Sequence, residues 1–527
     1  MLEFLTDFLN GPHARIALGA LHVALLLAIA LFAIKLVRAR PARQPAKGGA
    51  NFRAIAWGVG LALVAVLVYQ GTWQLAGFRS RGLMEFMRGH NTRAGAADKQ
   101  ILRGAIRDCN GEVLARTAPD SVWGRAYPLG PATAHVVGYA HPVYGWSGVE
   151  RAADAALSGY GLGDADELSR LGKNMLDLKR PEGSDVTLTI DSRLQRTAYE
   201  LLAGRAGAIV ALRPSDGAIL AMVSSPSFNP ADPSSGTRSR GAAMLNRAAQ
   251  GLYPPGSTFK IAMALMAVDI GKTPRFDCPA EGFRAEPKAH PIRDSEYTSW
   301  KREGRVWKGW GVIGLNDAFA HSSNVYFARL GLECGADQFN AFVDKLGFRE
   351  NVVFYDGRSG VIQANPANIP RVGAKDRRPL SQMSIGQGAM LLAPLHVAML
   401  TSVVANHGAL AQPRLQAAVP QDGTQTRAVV SRKAADTVAG YMRDTVRRGT
   451  GRGADIPGFD VCGKTGTAQA PGGADHAWFT CFAPQSKPAI VVTVIVERGG
   501  YGAKSAIPVA RAMLEKAAEI GVLKPAQ

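Results

Sequence analysis

The chain has 527 residues, 47% of them apolar and 20% charged, a composition that builds packed cores and excludes a disordered, collagen-like or disulfide-scaffold protein. Its formal charge of +19, from 61 basic and 42 acidic residues, attracts anionic partners: nucleic acid, acidic lipid head groups or an acidic polymer. The five cysteines, Cys109, Cys278, Cys334, Cys462 and Cys481, are scattered without zinc-ligand spacing, and their odd number leaves at least one thiol unpaired within the chain.

Two apolar segments come first. Residues 16–34 are 19 residues with His22 as the one polar side chain, and residues 54–78 are 25 residues interrupted by Gln70, Thr72 and Gln74. A helix needs about 20 apolar residues to cross the hydrocarbon core, so both read as transmembrane helices in preference to a buried hairpin of core helices. Neither has the form of a cleaved signal peptide. The linker 35–53 carries six basic residues and no acid, which places it in the cytoplasm by the positive-inside rule. The flanks carry six as well, Arg15 and five between Arg79 and Lys99, so charge alone leaves orientation tied. The reading adopted is N-terminus out, linker in and the large C-terminal part out, chiefly for the chemistry described below.

From residue 101 onward the sequence reads as a soluble mixed α/β protein. Residues 106–115 form a hairpin about the turn Asp108-Cys109-Asn110-Gly111, where Asn-Gly supplies positive φ. Residues 127–150 are loop-rich, and 152–158 and 165–171 read as short helices. A strand over 186–190 is followed by Asp191 as the cap of a helix through Leu202. Residues 207–212 and 218–224 form strands around Pro214-Ser215-Asp216-Gly217. Residues 460–469, 477–483 and 489–497 form three more, and an amphipathic helix over 506–520 closes the chain. Strands at both ends with helices between predict one sheet assembled from distant segments.

Three short motifs lie in this framework. Tyr253-Pro254-Pro255-Gly256 leads into Ser257-Thr258-Phe259-Lys260 and an apolar run to Gly271. The prolines mark a helix start, which places Ser257 in the first turn with Lys260 on the same face. A serine hydroxyl needs a base to become a nucleophile. A lysine serves when burial or a second cation brings its pKa toward neutrality, and a helix N-terminus adds N–H groups beside the reacting atom. In isolation the pair reads as an N-cap-like serine and a snorkelling lysine, though it is the only Ser-x-x-Lys in the chain. Next, His321-Ser322-Ser323-Asn324 separates helical runs over 315–320 and 325–332, so that Ser322 and Asn324 point into one cleft; alone it reads as a capping turn. Last, Gly463-Lys464-Thr465-Gly466-Thr467 lies on the first late strand. Strand alternation turns Lys464 and Gly466 one way and Thr465 and Thr467 the other. Glycine there admits a substrate backbone, and the lysine and threonines bind a carboxylate; alone the motif reads as an edge strand with a protective lysine.

Ser-x-x-Lys, Ser-x-Asn and Lys-Thr-Gly occur in that order, 65 and 142 residues apart. This resembles the penicillin-recognising serine transferases and hydrolases, and the surroundings resemble class B penicillin-binding proteins in particular. The similar segments are 207–230 and 253–260, Ser384-Ile385-Gly386-Gln387-Gly388 with Pro394-Leu395, 446–451, 462–469 and His476-Ala477-Trp478-Phe479. Arg103-Gly104, Asp108, Asn110-Gly111, Leu114-Ala115 and Gly148-Val149-Glu150 resemble the family's membrane-proximal pedestal. The resemblance runs from about residue 101 to the end. Departures are the second N-terminal span, Arg213 where an acid is common, Cys109 for a frequent basic residue and His396 for a frequent glutamine.

The resemblance implies an α/β (α+β) fold, the penicillin-recognising serine transpeptidase fold. It comprises an antiparallel sheet flanked by helices, an all-helical subdomain, a small pedestal and N-terminal transmembrane helices. The division expected is 1–78 as membrane anchor, 79–183 as pedestal or dimerisation-like domain and 184–527 as transpeptidase domain. The implied activity is that of a DD-transpeptidase acting on the D-Ala-D-Ala end of peptidoglycan stem peptides and acylated by β-lactam antibiotics. In that scheme Ser257 attacks, neutral Lys260 is the base, and Ser257 and Thr467 N–H groups form the oxyanion hole. Ser322 relays a proton to the leaving D-Ala with Lys464, Asn324 holds the substrate amide and orients Lys260, and Thr465 and Thr467 hold the terminal carboxylate beside Gly466. No metal or cofactor is required.

The substrate places the catalytic domain on the periplasmic side of the bacterial cytoplasmic membrane. A membrane glycosyltransferase is the implied partner, facing the polar Gln70, Thr72 and Gln74. Nucleic acid is disfavoured because no binding motif occurs. Competing readings are a DD-carboxypeptidase or β-lactamase-type hydrolase, for which no deacylating glutamate stands out, a β-lactam sensor, for which the linker is too small, and a non-catalytic scaffold activating a glycosyltransferase, against which the intact motif set argues.

Overall fold

The structure, a computed structural model, describes residues 102–118, 124–159, 182–238, 242–418, 425–470 and 473–526, together with 58–60, 62, 65 and 66. It divides into two units, Met1–His90 and Asn91–Gln527. Within the first, 58–60, 62, 65 and 66 are helical. The remainder of the two expected spans, like the expected helix at 165–171, lies outside the described residues. Among the described residues no helix is long and apolar enough to cross a membrane.

The second unit begins with a small sheet in the order Arg125–Ala126, Val113–Thr117, Ile106–Arg107, Val186–Thr187. The hairpin expected over 106–115 is present, with Gly111 at φ +87° in its turn. Val186–Thr187 joins parallel to Ile106–Arg107, so the last strand of this sheet follows residue 183. Asp108 closes the turn by accepting from the N–H groups of Asn110 and Glu112, both at 2.8 Å, and its other oxygen accepts from Ser192 N at 3.0 Å. The turn thereby holds the first residue of the helix Ser192–Leu202, whose N-cap is Asp191, as the sequence predicts.

Beneath the small sheet lies a buried ionic cluster. Glu150 is fully buried and receives Arg103 Nε at 2.8 Å and Arg125 Nε at 2.7 Å, while Arg103 Nη1 reaches Asp154 at 2.6 Å. Burial alone would raise the Glu150 carboxyl, but the two guanidinium groups outweigh it and hold the carboxyl below the usual range. The glycines beside these residues are dictated by packing. A Cβ at Gly104 would sit 2.1 Å from the Ser184 carbonyl oxygen, and one at Gly148 2.7 Å from that of Val136.

The strands from the two ends of the region meet in one five-stranded antiparallel sheet. Its order is Cys462–Ala468, His476–Ala483, Ile490–Val496, Gly207–Leu212, Ile219–Ser225. The strands are buried on both faces, which explains their near-continuous apolar runs. On one face Ile209, Leu220, Phe479, Val492 and Val494 pack with the helices Ser192–Leu202 and Ile507–Glu519. On the other, Val210, Met222, Trp478 and Val491 join the helices Lys260–Asp269, Pro394–Ala405 and Arg432–Arg447. The register pairs Cys462 with Phe482 and Gly463 with Cys481. Alternation therefore sends Cys462 and Cys481 to opposite faces, and both are free thiols.

Replacing Glu150 by alanine would remove the carboxylate that pairs the buried Arg125 guanidinium and leave Arg103 with Asp154, a loss of about 3–5 kcal/mol. The expected outcome for E150A is a lower melting temperature of the full chain with its sheet content retained below the transition. Because the folded Glu150 pKa is depressed, its contribution is complete above the ordinary glutamate value and is lost as pH falls through the folded one. The gap in melting temperature between wild type and E150A should therefore narrow in acid; a gap that widens would overturn the assignment.

Candidate active site

The nucleophile segment is held from three sides. Pro254 O accepts from Trp478 Nε1 at 3.1 Å, Tyr253 exchanges both backbone hydrogen bonds with Leu392, and Gly256 N donates to Gly386 O at 2.9 Å. Here the structure differs from the expectation of a first α-helical turn. Gly256–Phe259 is a tighter 3-10 turn, and the α-helix begins at Lys260. The tightening follows from the close approach of this turn to neighbouring backbone. A Cβ at Gly256 would lie 2.5 Å from Thr467 O, and one at Gly386 1.9 Å from Gly256 O. Gly466 has a packing role as well as the one read from sequence: its Cβ position meets Thr258 Cγ2 at 2.8 Å and Trp478 Cβ at 2.9 Å. Glycine at 466 lets the strand close on the turn that carries Ser257.

Lys260 is fully buried. Its Nζ donates to Ser322 O at 2.6 Å and Asn324 Oδ1 at 2.7 Å and lies 3.3 Å from Ser322 Oγ. The first two partners are pure acceptors, so they take two N–H bonds. The third position on nitrogen is a proton in the ammonium and a lone pair in the amine. Burial pulls Lys260 down to about 7 against the opposing attraction of Asp294 and Glu296. Near neutral pH the amine and the ammonium are therefore both populated.

Lys464, also fully buried, projects from the edge strand, donating to Ser322 Oγ at 2.8 Å and Thr465 O at 3.2 Å. Burial, and then the charge of Lys260, hold it well below an ordinary lysine. Ser322 thus stands between two amines with its Oγ in reach of both. Its backbone is at φ +61°, an uncommon conformation for serine. It lies in the turn between the helices Leu315–Ala320 and Asn324–Cys334, where Ser323 is the N-cap and accepts from Tyr326 N.

Thr465 Oγ1 pairs with Thr450 Oγ1 at 2.6 Å. Thr450 N in turn donates to Ala320 O at 3.2 Å, so the segment 446–451 joins the edge strand to the turn before Ser322. Thr467 pairs with Ala477 in the ladder, and its carbonyl lies against Gly256, the residue before Ser257. Lys260, Ser322, Asn324 and Lys464 thus converge, and the turn that carries Ser257 lies against the strand of Thr465, Gly466 and Thr467 through Gly256 and Thr258. Among the described residues that strand has no neighbour in the sheet on its other side, leaving an edge able to pair with an extended peptide.

Sequence reasoning missed Asp294. Its buried carboxylate accepts from Ser323 Oγ and from the N–H groups of Asn324 and Val325. An aspartate before Ser295-Glu296 has the form of a cap for its own helix, and nothing local in the sequence points from it to Asn324. The group Arg247, Tyr253 and Glu497, where Glu497 Oε1 accepts from Tyr253 OH and Arg247 Nε at 2.7 Å each, was missed too. Glu497 lies 250 residues from Arg247 and 244 from Tyr253.

Two family models match the chain. The penicillin binding protein transpeptidase domain covers residues 207–515, more than half of it, and the penicillin binding protein A dimerisation domain covers 103–186. The peptidoglycan D,D-transpeptidase MrdA of Acinetobacter baumannii is 32% identical over 448 residues, 72% of this chain. The chain spans 64% of that relative's length. The peptidoglycan D,D-transpeptidase PbpA of Mycolicibacterium smegmatis is 32% identical over 437 residues, 75% of this chain and 84% of the relative. Among solved structures, the ceftriaxone acyl-enzyme of penicillin-binding protein A from M. tuberculosis superposes with a TM-score of 0.70 at 28% identity, covering 80% of this chain and 100% of that one. PBP2 of Pseudomonas aeruginosa in complex with WCK 5153 gives 0.66 at 32%, covering 80% and 98%. With the three motifs meeting at Lys260, Ser322 and Lys464 in the same mixed α/β fold, the chain belongs to the class B penicillin-binding proteins, the family of penicillin-binding transpeptidases.

Proposed function

We propose that this protein is a peptidoglycan DD-transpeptidase that crosslinks stem peptides through an acyl-serine intermediate and is acylated by β-lactams. The observation that carries the reading is the contact chain Asn324–Lys260–Ser322–Lys464 beside the turn that holds Ser257. Such a chain moves a proton in one direction and back without solvent. The Lys260 amine takes the proton of Ser257 Oγ as the oxygen bonds to the carbonyl carbon of the penultimate D-Ala. The tetrahedral oxyanion lies between the N–H groups of Ser257 and Thr467. Ser322 Oγ, in reach of both lysines, delivers a proton to the departing D-Ala nitrogen as the C–N bond breaks. An amine of a second stem peptide then attacks the ester and returns Ser257 with its proton. Lys464, Thr465 and Thr467 bind the terminal carboxylate, and the unpaired edge of Cys462–Ala468 accepts the peptide backbone as an added strand.

The same reading divides the protein into an anchor at 1–78, a pedestal at 79–183 and a transpeptidase domain at 184–527. Spans at 16–34 and 54–78 hold it in the cytoplasmic membrane with the catalytic domain on the periplasmic side, where the substrate is. A membrane glycosyltransferase is the partner, contacted through Gln70, Thr72 and Gln74, whose polarity gives the second span a face that avoids lipid.

Labelling membranes with a fluorescent penicillin tests the chemistry. Wild type should carry a stable adduct and Ser257→Ala none; rapid release of the label would turn the reading toward a hydrolase. The acylation rate should rise with pH through about 7 and then level off, because the Lys260 ammonium cannot accept a proton and the amine can. A rate flat between about pH 5.5 and 8.5 would remove Lys260 as the base. In spheroplasts, added protease should cut the catalytic domain and spare the linker 35–53; the reverse pattern would overturn the topology.

A further inference from the structure

Asp294 stands at the N-cap of the helix Ser295–Arg302, yet its side chain makes no capping bond there. Its carboxylate is turned instead onto another helix. Oδ1 accepts from Asn324 N at 2.5 Å and Val325 N at 3.1 Å, and Ser323 Oγ lies 3.1 Å from both oxygens. These are the first N–H groups and the N-cap of Asn324–Cys334, the end of a helix that favours negative charge. The preceding residue holds the loop from the other side, since Arg293 O accepts from Asn324 Nδ2 at 2.9 Å. That bond fixes which way the Asn324 amide faces and so aims Oδ1 at Lys260 Nζ. The loop needs such support, because Ser322 sits at φ +61°, a conformation that persists in serine only where its surroundings over-determine it.

We infer that Asp294 is a positioning residue for acyl transfer, holding the Ser322-Ser323-Asn324 loop through Ser323 Oγ and two backbone N–H groups so that Ser322 and Asn324 meet Lys260. The inference rests on the acyl-serine reading above. It assigns the middle residue of Ser-x-Asn, Ser323, a role as well: its hydroxyl bridges the carboxylate to Tyr326 N. The charge of Asp294 acts on the same machinery. The ionisable groups around it are Lys260, Glu296 and the Cys278 thiol, with Lys464 beyond Lys260. Removing the Asp294 charge withdraws the larger of the two attractions, from Asp294 and Glu296, that favour the Lys260 ammonium. The lysine then loses its proton at lower pH.

The test compares the full chain with Asp294→Asn and Ser323→Ala, reading the acylation rate by fluorescent penicillin against pH together with the melting temperature. D294N should acylate on the order of 10- to 100-fold more slowly, the scale of a lost charge-assisted hydrogen bond. The acid limb of its profile should move to lower pH. A role confined to stability would lower the melting temperature and leave the limb where it is. S323A keeps the carboxylate and both N–H donors; it should slow acylation several-fold at temperatures well below its melting transition, which loss of the N-cap bond lowers. A D294N rate and limb matching wild type would overturn the inference. Where D294N does not fold, S323A decides: a reduced rate upholds the inference and a wild-type rate overturns it. Wild type without label, or label in Ser257→Ala, would bring down the acyl-serine reading and this inference together. Label that needs Ser257, with Asp294 variants like wild type, would bring down this inference alone.

Discussion

Burial of the Lys260 amine is the constraint on which the site depends. An ammonium taken out of water is costly unless it is paired or gives up its proton. The fold gives this one two acceptors of short reach, Ser322 O and Asn324 Oδ1, and a second cation two bonds away through Ser322 Oγ. The acceptors keep the nitrogen in place whether or not it is charged, while burial and the neighbouring lysine lower its affinity for a proton. A base near neutrality held in one orientation is the outcome, and a pair of surface lysines would provide neither property. Replacing such groups with apolar ones of similar volume often stabilises a protein, so the buried lysines are costly to the fold, as the proposed acyl-transfer role requires.

Close backbone approach supplies the second condition. The segments of the site meet at four close approaches, and at each a side chain is missing. Gly256 meets Thr467, Gly386 meets Gly256, Gly466 meets Thr258 and Trp478, and Gly449 meets Ala320 O, where a Cβ would stand at 2.2 Å. The segment 384–388 bears directly on the turn that carries Ser257 through the Gly256 N to Gly386 O bond. Short signatures far from the reacting atoms are in this way part of the cleft geometry: they set how near the backbones can lie.

Much of this was legible in the sequence because it is local. The hairpin at Asn110-Gly111, the cap at Asp191, the five sheet strands and the closing helix each depend on residues within a few positions. The motif residues are separated by long stretches, but their order and spacing carried them. What was not legible depended on pairs with no sequence signal. Asp294 looked like an ordinary cap because its own helix follows it, and nothing local says that its carboxylate serves a helix 30 residues on. The 3-10 form of Gly256–Phe259 arises from contact with Thr467 and Gly386, and Ser-Thr-Phe-Lys alone does not encode it. The separation of Cys462 from Cys481 follows from register, which cross-strand partners set.

The pedestal obeys the same logic of long-range polar contacts. Asp108 closes its own turn and then holds Ser192 N, the first residue of a helix packed on the central sheet. Asn110 adds a bond from Nδ2 to Asp191 Oδ2 at 3.2 Å. The hairpin that a sequence reader takes for a self-contained turn is therefore also the cap of the first catalytic-domain helix. On the other side, Ala155 N donates to Ser359 Oγ and Ser359 N to Ala152 O, and a Cβ at Gly357 would strike Ala152 O at 2.0 Å. Hydrogen bonds at both places fix direction as well as distance, so a rotation of the pedestal would have to break directional contacts on two sides at once. The Arg103–Glu150–Arg125 cluster adds ion pairs and a hydrogen bond between segments 22 to 47 residues apart within the same part of the chain. Such a joint turns a small, strand-poor domain into a rigid mount for the sheet whose edge strand carries Lys464.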